Sequence, residues 1–386
     1  RRSKRVLCGL TCSIALNTNP TNSLLNARHC SPSFFTTFQQ VTPKRGMGAF
    51  LSKAGHFIVD DKESIENIKG FMEAGPLYHN IYSSQNSFKA EDEFERANLL
   101  SKSLQMESGQ QLSPSMQQRV FHYYLPVFSW ILTEKKKSFP NSPFFVGMSA
   151  PQGCGKTTLT EQLKKLFTAE GMKCAVVSID DFYMTGKDQD KLAAEHPENP
   201  LLQCRGNAGS HDLALGSDTL QRLRALRKGQ RMRVPRYDKA ARSGRGDRAP
   251  RSAWAEAEGP LDVVLLEGWS LGFRALPPGH PRLAAEGPAL AAVNARLPRY
   301  ARDWEAALDA WLVVAVPGPE LVFGWRREAE AALRAATGTG MTDDEVKDFC
   351  ERYQPAYRAY LPGLYAIQEE EEGGTRGAGD EGKPTL

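Results

Sequence analysis

Four short apolar runs organise this chain: Phe144–Met148, Cys174–Ile179, Val263–Leu266 and Trp311–Val316. They are continuous rather than alternating, which predicts strands buried on both faces. That is the mark of a parallel sheet covered by helices on each side, an α/β architecture. Leu159 to Phe167, between the first two runs, has helical spacing. Upstream, Asp60 to about Lys137 mixes apolar and charged positions, as in Ser64–Ile68 and Glu93–Leu100, and predicts an N-terminal helical extension. Val120 to Leu132 is dense in aromatics and reads as a packed helix, with Lys135, Lys136 and Lys137 as its solvated end. Between Asp188 and Arg251 the apolar pattern gives way to a long polar insertion rich in Gly and Arg. Loops of that length inside a compact domain are usually functional. The expected divisions are 1–59 as a disordered leader, 60–137 as the helical extension, 138–368 as the main domain with an insertion at about 188–251, and 369–386 as a disordered acidic tail.

The first apolar run breaks into Ser149-Ala150-Pro151-Gln152-Gly153-Cys154-Gly155-Lys156-Thr157-Thr158. A strand, a Gly-rich turn and Gly-Lys-Thr at a helix start form a P-loop. Glycines let backbone N–H groups point at phosphate oxygens, and the helix dipole faces the same anion. Lys156 supplies a mobile charge for β- and γ-phosphates, and Thr157 a hydroxyl for Mg²⁺; Gly153, Cys154, Gly155 and Thr158 complete the ATP loop. Ala150 stands where the general pattern has its first glycine. The second run ends in Asp180-Asp181-Phe182-Tyr183 and the third in Glu267-Gly268-Trp269. Ligands of open parallel sheets sit at the carboxyl ends of the strands. Asp180 there suits a general base or a Mg²⁺ ligand, with Asp181 as second choice and helix capping by either as the alternative. Glu267 is read as holding Mg²⁺ through water, since that ion dehydrates reluctantly.

The insertion carries three cation-rich segments, Arg205–Asp212, Val234–Lys239 and Ser243–Arg248. Arg205, His211, Arg236, Tyr237, Lys239, Arg245 and Arg248, with Asp181 and Tyr183, are the candidates for gripping a small hydroxylated anion. A solvated basic loop is the alternative. Arg326, on the helix after the fourth run, is either an arm over ATP or part of a surface face. Cys154 inside the loop is either a redox-sensitive position or a small residue that fits.

Composition narrows the classes. Hydrophobic content of 41% supports a sizeable core, and a net charge of +4, spread along 386 residues, gives no nucleic-acid footprint. There is no apolar run of about 18 residues for a membrane span. The seven cysteines show no zinc spacing and suit free thiols. From Arg1 to Val59 there is no Asp or Glu, while Arg and Ser are frequent, as in organelle transit peptides.

As an ordered set, these segments resemble the plant and fungal-type D-glycerate 3-kinases, within the uridine kinase, phosphoribulokinase and pantothenate kinase group. The likeness runs from about Pro143 to Tyr365 and includes Pro235–Lys239, Ser243–Arg248 and Ala356–Pro362. It implies a P-loop fold, ATP and Mg²⁺ as cofactors, and phosphorylation of D-glycerate to 3-phosphoglycerate in the chloroplast stroma, as part of photorespiration. It agrees with catalytic roles for Lys156, Asp180 and Glu267; the small-molecule acceptor is the expected partner, composition gives no nucleic-acid or membrane partner, and a monomer is the expected state, which no sequence feature decides. It also implies one more apolar strand after Tyr365, where this chain has Glu369–Glu372, and a helix between Val293 and Leu308 that Pro298 interrupts. Kinase action on a nucleoside- or pantothenate-like alcohol and a slow nucleotide-dependent switch are the competing classes.

Overall fold

The computed structural model describes residues 4–9, 69–82, 89–108, 113–338 and 340–373. Its centre is a parallel sheet built from β1 (Lys4–Gly9), β2 (Phe144–Ser149), β3 (Cys174–Ser178), β8 (Val263–Gly268) and β9 (Ala310–Ala315), in the spatial order β1-β9-β2-β8-β3. Every residue of β2 and β8 is buried, which is why these runs are continuously apolar. The parallel sheet with helices over it is the expected architecture, and each of the four apolar runs is one of its strands.

Two separate cores lie against the sheet. One joins Phe144, Val146, Val263, Leu265 and Leu312 to the aromatic stretch Val120–Leu132. The other joins Phe145, Val264, Leu266 and Val313 to Phe182, Trp269, Trp304, Tyr357 and Tyr360. Alternate residues of one strand thus feed opposite cores. The aromatic stretch packs as expected, through a π-helical turn at Val120–Tyr124 that runs into helix Leu125–Ser138. Its end is not uniformly solvated. Lys135 is buried and donates to Phe139 O (2.6 Å) and Pro140 O (3.2 Å), while Lys136 and Lys137 are exposed. The last-turn carbonyls need donors, and Lys135 supplies one.

Three expectations change. Lys4–Gly9, placed in a disordered leader, is a strand paired in parallel with β9 from Lys4 opposite Ala310 to Gly9 opposite Ala315. Val6-Leu7-Cys8 is an apolar run like the others, and its backbone groups pair with an edge of β9 that would otherwise be bare. The further strand expected after Tyr365 does not occur among the described residues. Helix Gln354–Gly373 runs through there instead, so 369–373 are helical; Glu369–Glu372 are good helix formers. The insertion is not a loop. It holds helices Gly186–Glu195 and Leu213–Ala225, strand β4 (Arg231–Val234), paired antiparallel with β7 (Ala255–Glu258) just beyond it, and the short pair β5 (Tyr237–Asp238) and β6 (Asp247–Arg248). Leu213, Leu220 and Leu223 form a buried helical face behind the N-cap Asp212. The rest of 10–59, the segment 60–68 with Ser64–Ile68, and 374–386 lie outside the described residues. Pro298 does divide the helical stretch, sitting in the first turn of Leu297–Asp303 after Gly287–Asn294 ends.

Trp304 locks the insertion to the sheet. It is fully buried, packs against Phe182 (5.4 Å between centroids), Tyr300 (5.1 Å) and His211 (5.6 Å), and donates from Nε1 to Leu213 O (3.1 Å). A Cβ at Gly216 would fall within the indole ring, so helix Leu213–Ala225 approaches this closely only with glycine there. Trp304→Ala is expected to cost about 3–5 kcal/mol, read as a lower denaturation midpoint.

Candidate active site

The loop after β2 has the form its sequence demands. Gly153 and Gly155 take φ values of 81° and 87°, a region glycine enters without steric cost. Helix Lys156–Ala169 then begins with no side-chain cap, so its first N–H groups remain available to an anion. Lys156 folds back over the loop, its Nζ donating to Ala150 O (2.9 Å) and Pro151 O (3.0 Å). Two later segments brace the loop. A Cβ at Gly153 would stand 2.9 Å from Trp325 Cβ, which places the start of helix Leu321–Thr337, with Arg326, directly behind it. Gln152 N donates to the hydroxyl of Tyr357 (3.0 Å). Arg326 pairs with Glu330 (2.5 Å) and lies over Phe349 (5.1 Å). Thr157 is exposed and Thr158 half-buried. Cys154 turns its Sγ to Pro151 O (2.8 Å).

The sheet brings two acids beside that loop. β8 runs between β2 and β3, and Glu267 is opposite Met148 on one side and Ser178 on the other. The P-loop therefore leaves the sheet on one flank of Glu267 and Asp180 on the other flank. Burial raises the Glu267 carboxyl above its ordinary pKa; Lys156 opposes this and Asp180 adds to it. Burial would also raise Asp180, but the charge and hydrogen bond of Lys239, with a hydrogen bond from Tyr183, outweigh that and leave it lowered. Lys239 Nζ is 2.6 Å from Asp180 Oδ2. Lys156, Glu267, Asp180 and Lys239 thus share one electrostatic field.

Asp181 has a different position. Its carboxylate accepts from Arg236 Nη1 (2.8 Å), Tyr237 N (3.2 Å) and Ser178 N (3.4 Å), the last closing a capping box. Burial raises its pKa despite these partners. It joins the end of β3 to the β4–β5 corner.

The other acceptor-side candidates gather around Tyr183 and Tyr237. His211 is buried, stacks on Tyr183 (4.5 Å, 26°) and bridges to it through the backbone. Tyr183 meets Tyr237 edge-on at 5.3 Å. Arg205 lies over the Tyr237 ring (5.6 Å) and donates to Gly244 O (2.8 Å), Lys239 O (3.4 Å) and Arg245 O. Arg248 donates to Asp212 (2.9 Å) and Tyr183 O (3.3 Å), and Arg245 pairs with Asp190 (2.5 Å). Sequence reasoning missed Tyr300 and Tyr353. The Tyr300 hydroxyl accepts from Gly209 N (2.8 Å) and bonds His211 Nδ1 (2.8 Å). Tyr353 packs against Trp269 (4.9 Å) and donates to Arg205 O (3.5 Å), its ring standing where a Cβ on Gly206 would go. No spacing signal marks Tyr300; only the neighbouring Ala356–Pro362 stretch pointed toward Tyr353.

Known proteins are similar to this chain. Residues 145–273 match the family model described as Phosphoribulokinase / Uridine kinase family. An uncharacterized kinase of Schizosaccharomyces pombe, mug58, is 35% identical over 239 residues, covering 59% of this chain and 84% of its own length. The chain belongs to the phosphoribulokinase/uridine kinase family. Another relative, the chloroplastic D-glycerate 3-kinase of Arabidopsis thaliana, is 49% identical over 258 residues. The match covers 64% of this chain and 56% of the Arabidopsis protein, so the chain spans little over half of that relative's length. The solved D-glycerate 3-kinase from Cryptococcus neoformans superposes with a TM-score of 0.57 at 31% identity, covering 62% of this chain and 89% of that one.

The residues of this family member fit a phosphate chain with a hard cation. Buried polar atoms without a protein partner include three at the loop and its brace, Ser149 Oγ, Gln152 Oε1 and Arg326 Nε. Among the described residues, no three or more His, Cys, Asp or Glu form a metal-binding group. Glu267, Asp180 and the Thr157 hydroxyl are oxygen donors of the kind Mg²⁺ takes while keeping waters and phosphate oxygens as its other ligands.

His211 makes folding sensitive to acid. Burial lowers its pKa from 6.5 to about 4, against a smaller opposing effect of Asp180. Between those values the unfolded chain binds a proton that the folded one refuses. Stability therefore falls as pH drops through that window, by about 3 kcal/mol in all. Urea midpoints measured from pH 7 to 4 should show this slope, and His211→Gln should flatten it.

Proposed function

We propose that this chain transfers the γ-phosphoryl group of ATP to D-glycerate, giving 3-phosphoglycerate. The observation that carries the reading is the shared field of Lys156, Glu267 and Asp180 at the carboxyl end of one sheet, with cationic acceptor-side segments facing it. The two relatives named D-glycerate 3-kinase supply the substrate. The loop amides and Lys156 bind the phosphates, with Gly153, Cys154, Gly155, Thr157 and Thr158 forming the cradle and Arg326 behind it. Thr157, Glu267 and Asp180 would hold Mg²⁺, which would supply charge neutralisation. Asp180 accepts the hydroxyl proton of the acceptor. Tyr183, His211, Tyr237 and the Arg205–Arg248 segments wall the acceptor, with Asp181 and Arg236 holding that wall in place.

The chloroplastic relative supports an address in the chloroplast stroma and a photorespiratory role. A coupled ADP assay over D-glycerate, uridine and pantothenate tests the reading. D-glycerate should be the best acceptor. Indifference to it, with ATP hydrolysis unaffected by any acceptor, would replace this reading with a nucleotide-dependent switch.

A further inference from the structure

The cations of the acceptor wall are not equivalent. Arg236 is committed to Asp181, Arg245 to Asp190, Arg248 to Asp212, and Arg205 to three backbone carbonyls. The Arg236 pair ties the insertion to the end of β3, and the others hold one part of the insertion to another. Lys239 is placed differently. Its side chain is 60% exposed, and its ammonium contacts Asp180, the carboxylate assigned as base. An ion pair that also donates a hydrogen bond to the base occupies one of the oxygens that must take the acceptor's proton.

We propose that Lys239 is a gate on Asp180, opened by the carboxylate of the acceptor. This deepens the proposed function and rests on it. In the absence of an acceptor, the ammonium holds Asp180. When an anionic acceptor enters, Lys239 exchanges one carboxylate partner for another, and Asp180 is left facing the acceptor hydroxyl. The exchange costs little because the lysine is largely exposed and keeps a partner of the same kind. Four rotatable bonds let the ammonium swing without moving the backbone. The backbone itself is fixed nearby, since Asp181 binds Tyr237 N and the side chain of Arg236. Asp181 is thus a positioning residue that delivers Lys239 to Asp180. Neither water nor a neutral alcohol offers the lysine a replacement anion, so the pair would stay closed to them. Selectivity for a hydroxy acid and suppression of idle ATP hydrolysis would then share one cause.

Lys239→Met and Lys239→Arg test the idea, with D-glycerate, glycerol and no acceptor in turn. For Lys239→Met, ATP hydrolysis without acceptor should rise. The preference for D-glycerate over glycerol in kcat/KM should fall roughly tenfold or more, mainly through KM for D-glycerate. KM for ATP should hold, and Lys239→Arg should recover most of the preference. Because Lys239 is exposed, both variants should melt with the wild type. If the wild type phosphorylates D-glycerate and Lys239→Met changes neither the acceptor-free hydrolysis nor the preference, the gate is wrong and the kinase reading stands. A wild type indifferent to D-glycerate removes both.

Discussion

Asp180→Asn is expected to lower turnover with D-glycerate by about 10²–10⁴-fold, the usual scale for loss of a general base. The amide matches the carboxylate in shape and keeps one acceptor oxygen at the end of β3, so the fold should be kept. What it lacks is a basic oxygen. The effect should therefore fall on kcat, with little change in KM for ATP. Comparable turnover in the purified variant would take the base role away from Asp180. Asp181→Asn gives the contrast. It weakens the clamp on Arg236 and Tyr237 N rather than the chemistry, and its loss should be smaller and spread over KM for D-glycerate.

Lys156→Ala is the second large effect. The ammonium stands over the phosphate loop and is felt by Glu267 at the strand end next door. Removing a preorganised cation from a site where charge redistributes typically costs about 10²–10³-fold in rate. Because it acts on the nucleotide, the loss should be the same with D-glycerate and with any weaker acceptor. It should also be accompanied by a higher KM for ATP. A variant that phosphorylates D-glycerate at the wild-type rate would put the nucleotide elsewhere.

The sheet and its catalytic edge were legible because their signals are local. Continuous apolar runs mark strands buried on both sides, and Gly-Lys-Thr or an acid at the end of such a run needs no tertiary information to be noticed. The functions of the individual arginines were not legible. Arg236 and Arg248 have the composition of carboxylate ligands, yet Arg236 answers Asp181 and Arg248 answers Asp212. Their partners are 55 and 36 residues away, so no spacing rule reports them. Tyr300 was invisible for the same reason, since its bonds to Gly209 and His211 close only once the helix at Leu297–Asp303 is docked. The insertion reads as a loop in sequence because its Gly and Arg content masks the buried face of Leu213, Leu220 and Leu223.

The Tyr357 hydroxyl that receives Gln152 N ties the nucleotide loop to a helix two hundred residues downstream. That downstream segment works as a latch on the loop's curvature. A stop codon ahead of Gln354 would leave every Gly-Lys-Thr atom intact and still release the turn that aims them. A fragment ending there should bind nucleotide poorly in spite of carrying the complete motif, and any survey that judges such genes by the motif alone would count dead copies as living ones.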